Sequence, residues 1–201
     1  RKGYLRGEVR YQKYKETGFS TPTRKFEIFS TVLDSWGADP LPQFKEPPES
    51  PYSTPELYKK FPYIIITGRR LPGFFHTENR QLPWMRELHR DPVVEIHPDT
   101  AKKEGIREGE WVVIESPRGS IRQRAKLFAG IDPRVVSAEH GWWFPEKKDP
   151  GHGWDESNIN ILTDNSYESC DPAMGATHVR TLLCKIYPEP DKPDECVKFG
   201  V

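Results

Sequence analysis

The chain has 201 residues, enough for one good core or one core with an extension. Its 30 basic and 30 acidic residues cancel and are interspersed, which excludes a broad nucleic-acid-binding field and describes an ordinary solvated surface. With 20 prolines and 15 glycines it does not read as a helical bundle, and no apolar run approaches the roughly 18 residues of a membrane span. The opening, RKGYLRGEVRYQKYKE, has no apolar h-region and so is not a secretory signal. It begins at Arg1 without a methionine, and a fragment of a longer protein is expected on that ground. Residues 1–32 read as an extended, basic-aromatic segment, in which Phe26, Ile28 and Phe29 predict a short strand after a Thr-Pro turn.

Residues 33–55 hold six prolines, Pro40 to Pro55, with little apolar periodicity, which describes a linker or a strap lying on a surface. Thr54-Pro55-Glu56 then predicts a helix start, with Thr54 as N-cap and Pro55 at the first helical position. From Tyr63 the pattern becomes β-rich. Strands are predicted at Tyr63–Thr67, Val93–Ile96, Trp111–Glu115, Ser120–Leu127, Val135–Glu139 and Val179–Ile186, all short and rich in Val, Ile and aromatics. Between the second and third, HPDTAKKEGIREGE predicts a helix with His97 as cap, Pro98 at its start, Asp99 favouring the dipole and Gly105 at the stop. Pro117-Arg118-Gly119 reads as a tight hairpin. About six short strands with one or two short helices suggest a small closed barrel.

The richest chemistry lies in YIIITGRRLPGFFHTEN, Tyr63–Asn79. An apolar strand ending in Thr67-Gly68-Arg69 offers a hydroxyl, a bare backbone and a guanidinium at one point. That set suits a phosphate or nucleotide edge, although a strand followed by a solvated turn has the same look. His140-Gly141-Trp142-Trp143 can be read as a substrate funnel or, as bulky aromatics after a strand, as core or interface. Glu87, His89 and Asp91 near Trp84 read as helix-surface charge. Cys170, Cys184 and Cys196 cannot all pair, and no C-x-x-C occurs. Free thiols in a reducing compartment are therefore expected, without zinc or iron–sulfur ligation inside this chain. No paired carboxylates or Ser/His/Asp set stands out, so no catalytic residue is assigned.

Taken in order, these segments resemble a known family. STPTRKFEIFS is similar to a segment usually written T-P-S-G-K-x-E, with Arg24 where the family mostly has Gly. The Thr-Gly-Arg to His segment follows. HPDTAKKEGIREGEWVVIESPRGSIRQRAKL resembles N-P-x-D-A-x-x-x-G-I-x-D-G-D, with His97 and Glu110 replacing the common Asn and Asp. IDPRVVSAEHGWWFP and SNINILTDNSYESCDPAMGATHVRTLLCKI complete the series, with Arg180 where a Lys is general. The chain is thus identified as similar, over nearly its whole length, to the C-terminal portion of molybdopterin-dependent oxidoreductases of the dimethyl sulfoxide reductase type.

The resemblance implies a mainly β fold with short helices, a six-stranded double-psi β-barrel plus the N-terminal extended segment. It implies residues 1–60 as segment and strap from a preceding catalytic body, residues 61–190 as the cofactor-binding barrel and residues 191–201 as a tail. The cofactor would be a bis-molybdopterin guanine dinucleotide carrying Mo or W. Thr67, Gly68 and Arg69 would hold its nucleotide tail. Phe75, His76 and Thr77 would approach the pterin. Asn160 would read a guanine or pterin edge, and Arg180 would pair with phosphate. The metal ligand and any iron–sulfur cluster would lie upstream of Arg1, so the chain alone would not catalyse. Partners would be the pterin cofactor, the upstream catalytic domains and an electron-transfer subunit, with no nucleic acid and no membrane span. The alternatives are a stand-alone barrel module that binds no pterin, and a structural subunit of a multi-chain molybdoenzyme. Compartment, substrate and metal are not legible.

Overall fold

The computed structural model describes residue 3 and residues 10–68, 73–171 and 173–190. Six strands carry the fold: β1 (Tyr63–Ile66), β2 (Val93–Ile96), β3 (Trp111–Ser116), β4 (Gly119–Leu127), β5 (Val135–Ala138) and β6 (Leu182–Pro188). They close in the order β1-β5-β2-β4-β3-β6, and β6 returns to β1. β1 runs parallel to β5 and β2 parallel to β4, while the other neighbours are antiparallel. This is a six-stranded double-psi β-barrel, mainly β with short helices. Closure pairs every strand on both sides and leaves no open ladder edge.

Alternation explains the core. Along β3, Val112, Ile114 and Ser116 turn inward, and along β1, Tyr63 and Ile65 do so. The apolar ones meet Val94, Ile96, Ile121, Ala125, Val136, Ala138, Leu182, Cys184 and Ile186 in one cluster. Burial pushes the Cys184 thiol pKa up, so this cysteine behaves as a small hydrophobe. β3 and β4 are joined through the predicted tight hairpin, Ser116 pairing with Gly119. Helix α5 (Pro98–Glu104) also follows its sequence. His97 Nδ1 accepts from the Asp99 amide at 3.1 Å, Gly105 closes the helix at φ 70°, and the Ile106 amide donates back to Ala101 O at 2.8 Å.

Five of the six strand predictions differ at a boundary, those of β3, β4 and β5 by one residue each, and one predicted helix cap differs. β1 stops at Ile66 because Gly68 turns out of the ladder at φ 59°. Residues 179–181 therefore lack a strand to pair with, and β6 begins at Leu182 opposite Ile65. Thr54 precedes helix α3 (Pro55–Lys60) but does not cap it with its side chain. Its hydroxyl is committed to Ser50, donating to the carbonyl at 3.1 Å and accepting from the amide at 3.2 Å. Short helices α4 (Pro83–Leu88) and α6 (Trp154–Ser157) complete the barrel's cover.

The chain divides into two compact units: residues 46–171 with those from 175 on, which contain the barrel, and residues up to 45 with 172–174. In the first, the residues just before α3 are tied down by charge. Glu49 pairs with Arg118 and accepts from the Leu183 amide at 3.2 Å, while Arg118 Nε donates to Leu162 O at 2.7 Å. The described part of the second unit holds α1 (Lys13–Thr17) and α2 (Thr31–Ser35) and no strand. The strand predicted at Phe26–Phe29 is absent, and Phe26 and Ile28 are 72% and 76% exposed. Local polar bonds replace the ladder there. Glu27 accepts from the Thr23 hydroxyl at 2.7 Å and the Thr31 hydroxyl at 2.9 Å, and Ser30 accepts from the Leu33 amide to start α2.

One buried amide braces the end of β5. Gln123, fully buried on β4, donates to Glu139 O at 2.7 Å and Ser157 O at 3.2 Å and accepts from the Glu139 amide at 3.0 Å. Gln123→Leu takes the donor away from the Glu139 and Ser157 carbonyls, while the Glu139 amide keeps Val93 O at 3.2 Å. The expected loss is about 1–3 kcal/mol in urea unfolding, with an unchanged slope.

Candidate functional site

The parallel pairing of β1 and β5 sends both strands out at the same end of the barrel, with Ile66 opposite Ser137. There Thr67, Gly68, Glu95, Phe128, Gly130, Ile131, Ser137 and Arg180 surround an open depression of about 550 Å³. Gly68 is required by two constraints. Its φ of 59° belongs to the left-handed region, and a Cβ built on it would lie 2.2 Å from Ser137 Oγ. The result is a stretch of bare backbone flanked by the hydroxyls of Thr67 and Ser137. Glu95, on β2, faces the same space with its carboxylate 3.1 Å from Lys126 Nζ. Arg180 is exposed at the rim, and among the described residues no carboxylate pairs with it. Backbone, hydroxyls, a carboxylate and a guanidinium thus converge on one concave surface.

Beyond the depression, a second structure holds the loop that carries Phe75, His76 and Thr77, all exposed. Its anchor is Arg80, which is 1% exposed. The guanidinium lies 4.4 Å from the Phe74 ring centre and 4.4 Å from that of Trp142. Nη2 donates to His76 O at 3.2 Å and to His140 O at 3.5 Å, and it is 3.6 Å from the Glu139 carboxylate. Burial lowers the Arg80 pKa, and Glu139 opposes that shift. The other Glu139 oxygen meets His89 Nε2 at 2.8 Å and accepts from the Val93 amide at 3.2 Å. Across the loop, Gly141 has φ 70°, and a Cβ there would lie 2.3 Å from His76 O. Trp143 Nε1 donates to Thr77 O at 2.7 Å, and His76 Nδ1 lies 3.3 Å from His140 Nε2.

The structure therefore brings Thr67, Gly68 and Arg180 together at one depression. Phe75, His76 and Thr77 sit on the loop that follows, His76 against His140, Thr77 against Trp143 and Phe75 on the His76 ring. Asn160 lies apart, exposed on the 3-10 turn Ile159–Ile161 that packs on β4, and no residue of that turn lines the depression. Arg69 and Arg70 fall outside the described residues, as do residues 191–201 with Cys196. Trp142 is core, fully buried against Phe74 and Phe144, so the aromatic run is not an open funnel. His89 and Asp91 also depart from plain surface charge, His89 through Glu139 and Asp91 through an ion pair with buried Arg124 at 3.1 Å. Sequence reasoning passed over Arg80, Glu139, Glu95 and Ser137. A lone arginine after HTEN reads as surface charge, and the aromatics that bury Arg80 include Trp142, remote in sequence.

Residues 63–181 match the molydopterin dinucleotide binding domain. The chain belongs to the molybdopterin dinucleotide-binding domain family. A dopamine dehydroxylase of Eggerthella lenta is 46% identical over 174 residues, 85% of this chain and 17% of that protein. An acetylene hydratase of Syntrophotalea acetylenica is 32% identical over 176 residues, 85% of this chain and 24% of that protein. The solved acetylene hydratase from Pelobacter acetylenicus superposes with a TM-score of 0.80 at 30% identity, covering 86% of this chain and 24% of that one. The chain thus spans about a fifth of the length of these relatives, aligned as one domain of a larger protein. The depression fits a molybdopterin-type dinucleotide. Gly68 exposes backbone where a side chain would collide with Ser137, and Arg180 brings a cation to the rim that no carboxylate among the described residues pairs with.

Arg80 ties the loop to the end of β5 through His76 O, His140 O and the Glu139 carboxylate. Arg80→Ala leaves Glu139 buried without its cation, and about 3–5 kcal/mol of stability is expected to go. Arg80→Lys keeps the charge without the planar fork and is expected to restore only part. Thermal unfolding, with the amide resonances of His76 and Gly141 as local reporters, measures both.

Proposed function

We propose that this chain is the cofactor-covering domain of a larger molybdenum or tungsten oxidoreductase that uses a bis-molybdopterin guanine dinucleotide. The observation that carries the reading is the Gly68 cradle at the shared exit of β1 and β5, with Arg180 at its rim. Gly68 and the Thr67 and Ser137 hydroxyls take the diphosphate, and Arg180 neutralises it. Arg69, next to Gly68 in the sequence, supplies a second cation. Glu95 gives the cradle a preference, because a carboxylate can accept from both N–H groups on the guanine edge, which adenine lacks. Phe75, His76 and Thr77 meet the pterin end, and Asn160 contacts the cofactor from its separate turn.

When bound, the pterin and its metal supply the redox chemistry. The chain's own residues orient the cofactor and keep water from it. The metal's protein ligand and any iron–sulfur cluster come from the rest of the enzyme, so the chain alone does not turn over substrate. The upstream catalytic domains and an electron-transfer subunit are its partners.

Titration of the 15N-labelled chain with GDP, and with ADP as control, tests this. Binding to the half-site is expected near the millimolar range, about 4 kcal/mol. Shifts should concentrate at Thr67, Gly68, Glu95, Ser137 and Arg180 and be larger with GDP. Glu95→Gln is expected to erase the difference between the nucleotides. Arg180→Gln is expected to weaken both about tenfold, about 1.4 kcal/mol. No shifts at these residues, or equal shifts with both nucleotides, would overturn the guanine assignment.

A further inference from the structure

His76 does not sit on its loop as a free imidazole. Its Nδ1 lies 3.3 Å from Nε2 of His140, and the two rings meet edge to face with centres 5.4 Å apart. The backbones on either side are held at the same spacing by independent contacts. One buried guanidinium, that of Arg80, donates to the carbonyls of both histidines. Gly141 permits a backbone approach that any Cβ would block. The Glu78 carboxylate accepts from the His76 amide at 2.7 Å, and Phe75 packs on the His76 ring at 4.4 Å. Together these contacts hold one imidazole against another.

The geometry points to His140 as a positioning residue, whose imidazole locks His76 in a single ring tautomer and leaves His76 Nε2 as the one nitrogen offered to the pterin. The part concerning the pterin rests on the function proposed above; the lock itself does not. Two neutral imidazoles facing each other through Nδ1 and Nε2 hold one proton between them, so one nitrogen donates and the other accepts. The lock requires His140 to keep one tautomer of its own; His76 Nδ1 then takes the complementary part and His76 Nε2 the opposite one. A neutral histidine free in water exchanges between tautomers and offers a mixture. The locked ring offers a pterin edge one role only, in a direction fixed by Arg80 and Gly141.

The test reads ring nitrogens in the 201-residue chain without cofactor. Long-range 1H–15N correlation on histidine-labelled chain is recorded at about pH 8, above the ordinary histidine range. His76 is expected to show two well-separated ring-nitrogen resonances, the signature of one tautomer. In His140→Phe those resonances are expected to collapse toward the averaged positions of a free histidine. In His140→Gln, whose terminal amide reaches a similar position, the separation is expected to return. Should His140→Phe not fold, His140→Asn, too short to reach Nδ1, serves instead. Averaged His76 resonances in the unchanged chain, or separation that survives in His140→Phe or His140→Asn, would overturn the proposal. The GDP titration reports on Gly68 and Arg180 and fails or succeeds separately, so the two readings are distinguishable.

Discussion

The parallel pairing of β1 with β5 is the constraint on which the candidate site depends. β1 lies between β5 and β6, and it is the strand that closes the barrel. Because β1 and β5 run the same way, their exits lie side by side, and the loops after both strands rise from one edge. Thr67 and Gly68 leave one strand where Ser137 faces them from the other. An antiparallel neighbour would have sent its loop to the opposite end. The positive φ at Gly68 then ends β1 and shortens β6, so the same residue that bares the cradle also sets where the barrel stops pairing.

Barrel and site were legible in the sequence to different depths. The run predicted at Trp111–Glu115 marks a strand because alternation and burial agree there, and Val93–Ile96 does so by its β-branched, largely buried composition. The helix from Pro98 is legible because His97, Pro98 and Gly105 each satisfy a local backbone need. Phe26, Ile28 and Phe29 have the composition of a strand, but neighbouring Glu27 and Ser30 offer nearer hydrogen bonds than any ladder. The barrel's closing order, with two parallel pairs, has no signal in any single strand. The family resemblance supplied the double-psi barrel, and the structure supplies the order.

Residues that act at a distance were the ones missed. Arg80 is buried by aromatics on both sides, one close in sequence and one far, and Glu139 follows directly on β5. Arg80 lies outside any apolar run, and Glu139 only closes the predicted strand Val135–Glu139, with nothing in the sequence to say what it meets. Their environment is visible only when β5 carries Glu139 and His140 against the loop from Phe74 to Arg80. Glu95 and Ser137 were absorbed into strands for the same reason: on an alternating strand, the residue that faces a cavity and the residue that faces water have the same period.

The two halves of the site reach rigidity by opposite means. The cradle at Gly68 is made by removing a side chain, so that backbone and hydroxyls stand clear for a ligand. The loop at His76 is made by burying a charge. A buried arginine held by one carboxylate at 3.6 Å is a poor source of net stability, since desolvating both ions opposes much of their attraction. An apolar residue between Phe74 and Trp142 would pack as well. It could not donate to two carbonyls from different loops at once. Arg80 therefore contributes mainly definition: it gives His76 and His140 one relative position where apolar packing would allow several. For a loop proposed to present a single imidazole nitrogen, that definition matters more than the stability the ion pair forgoes.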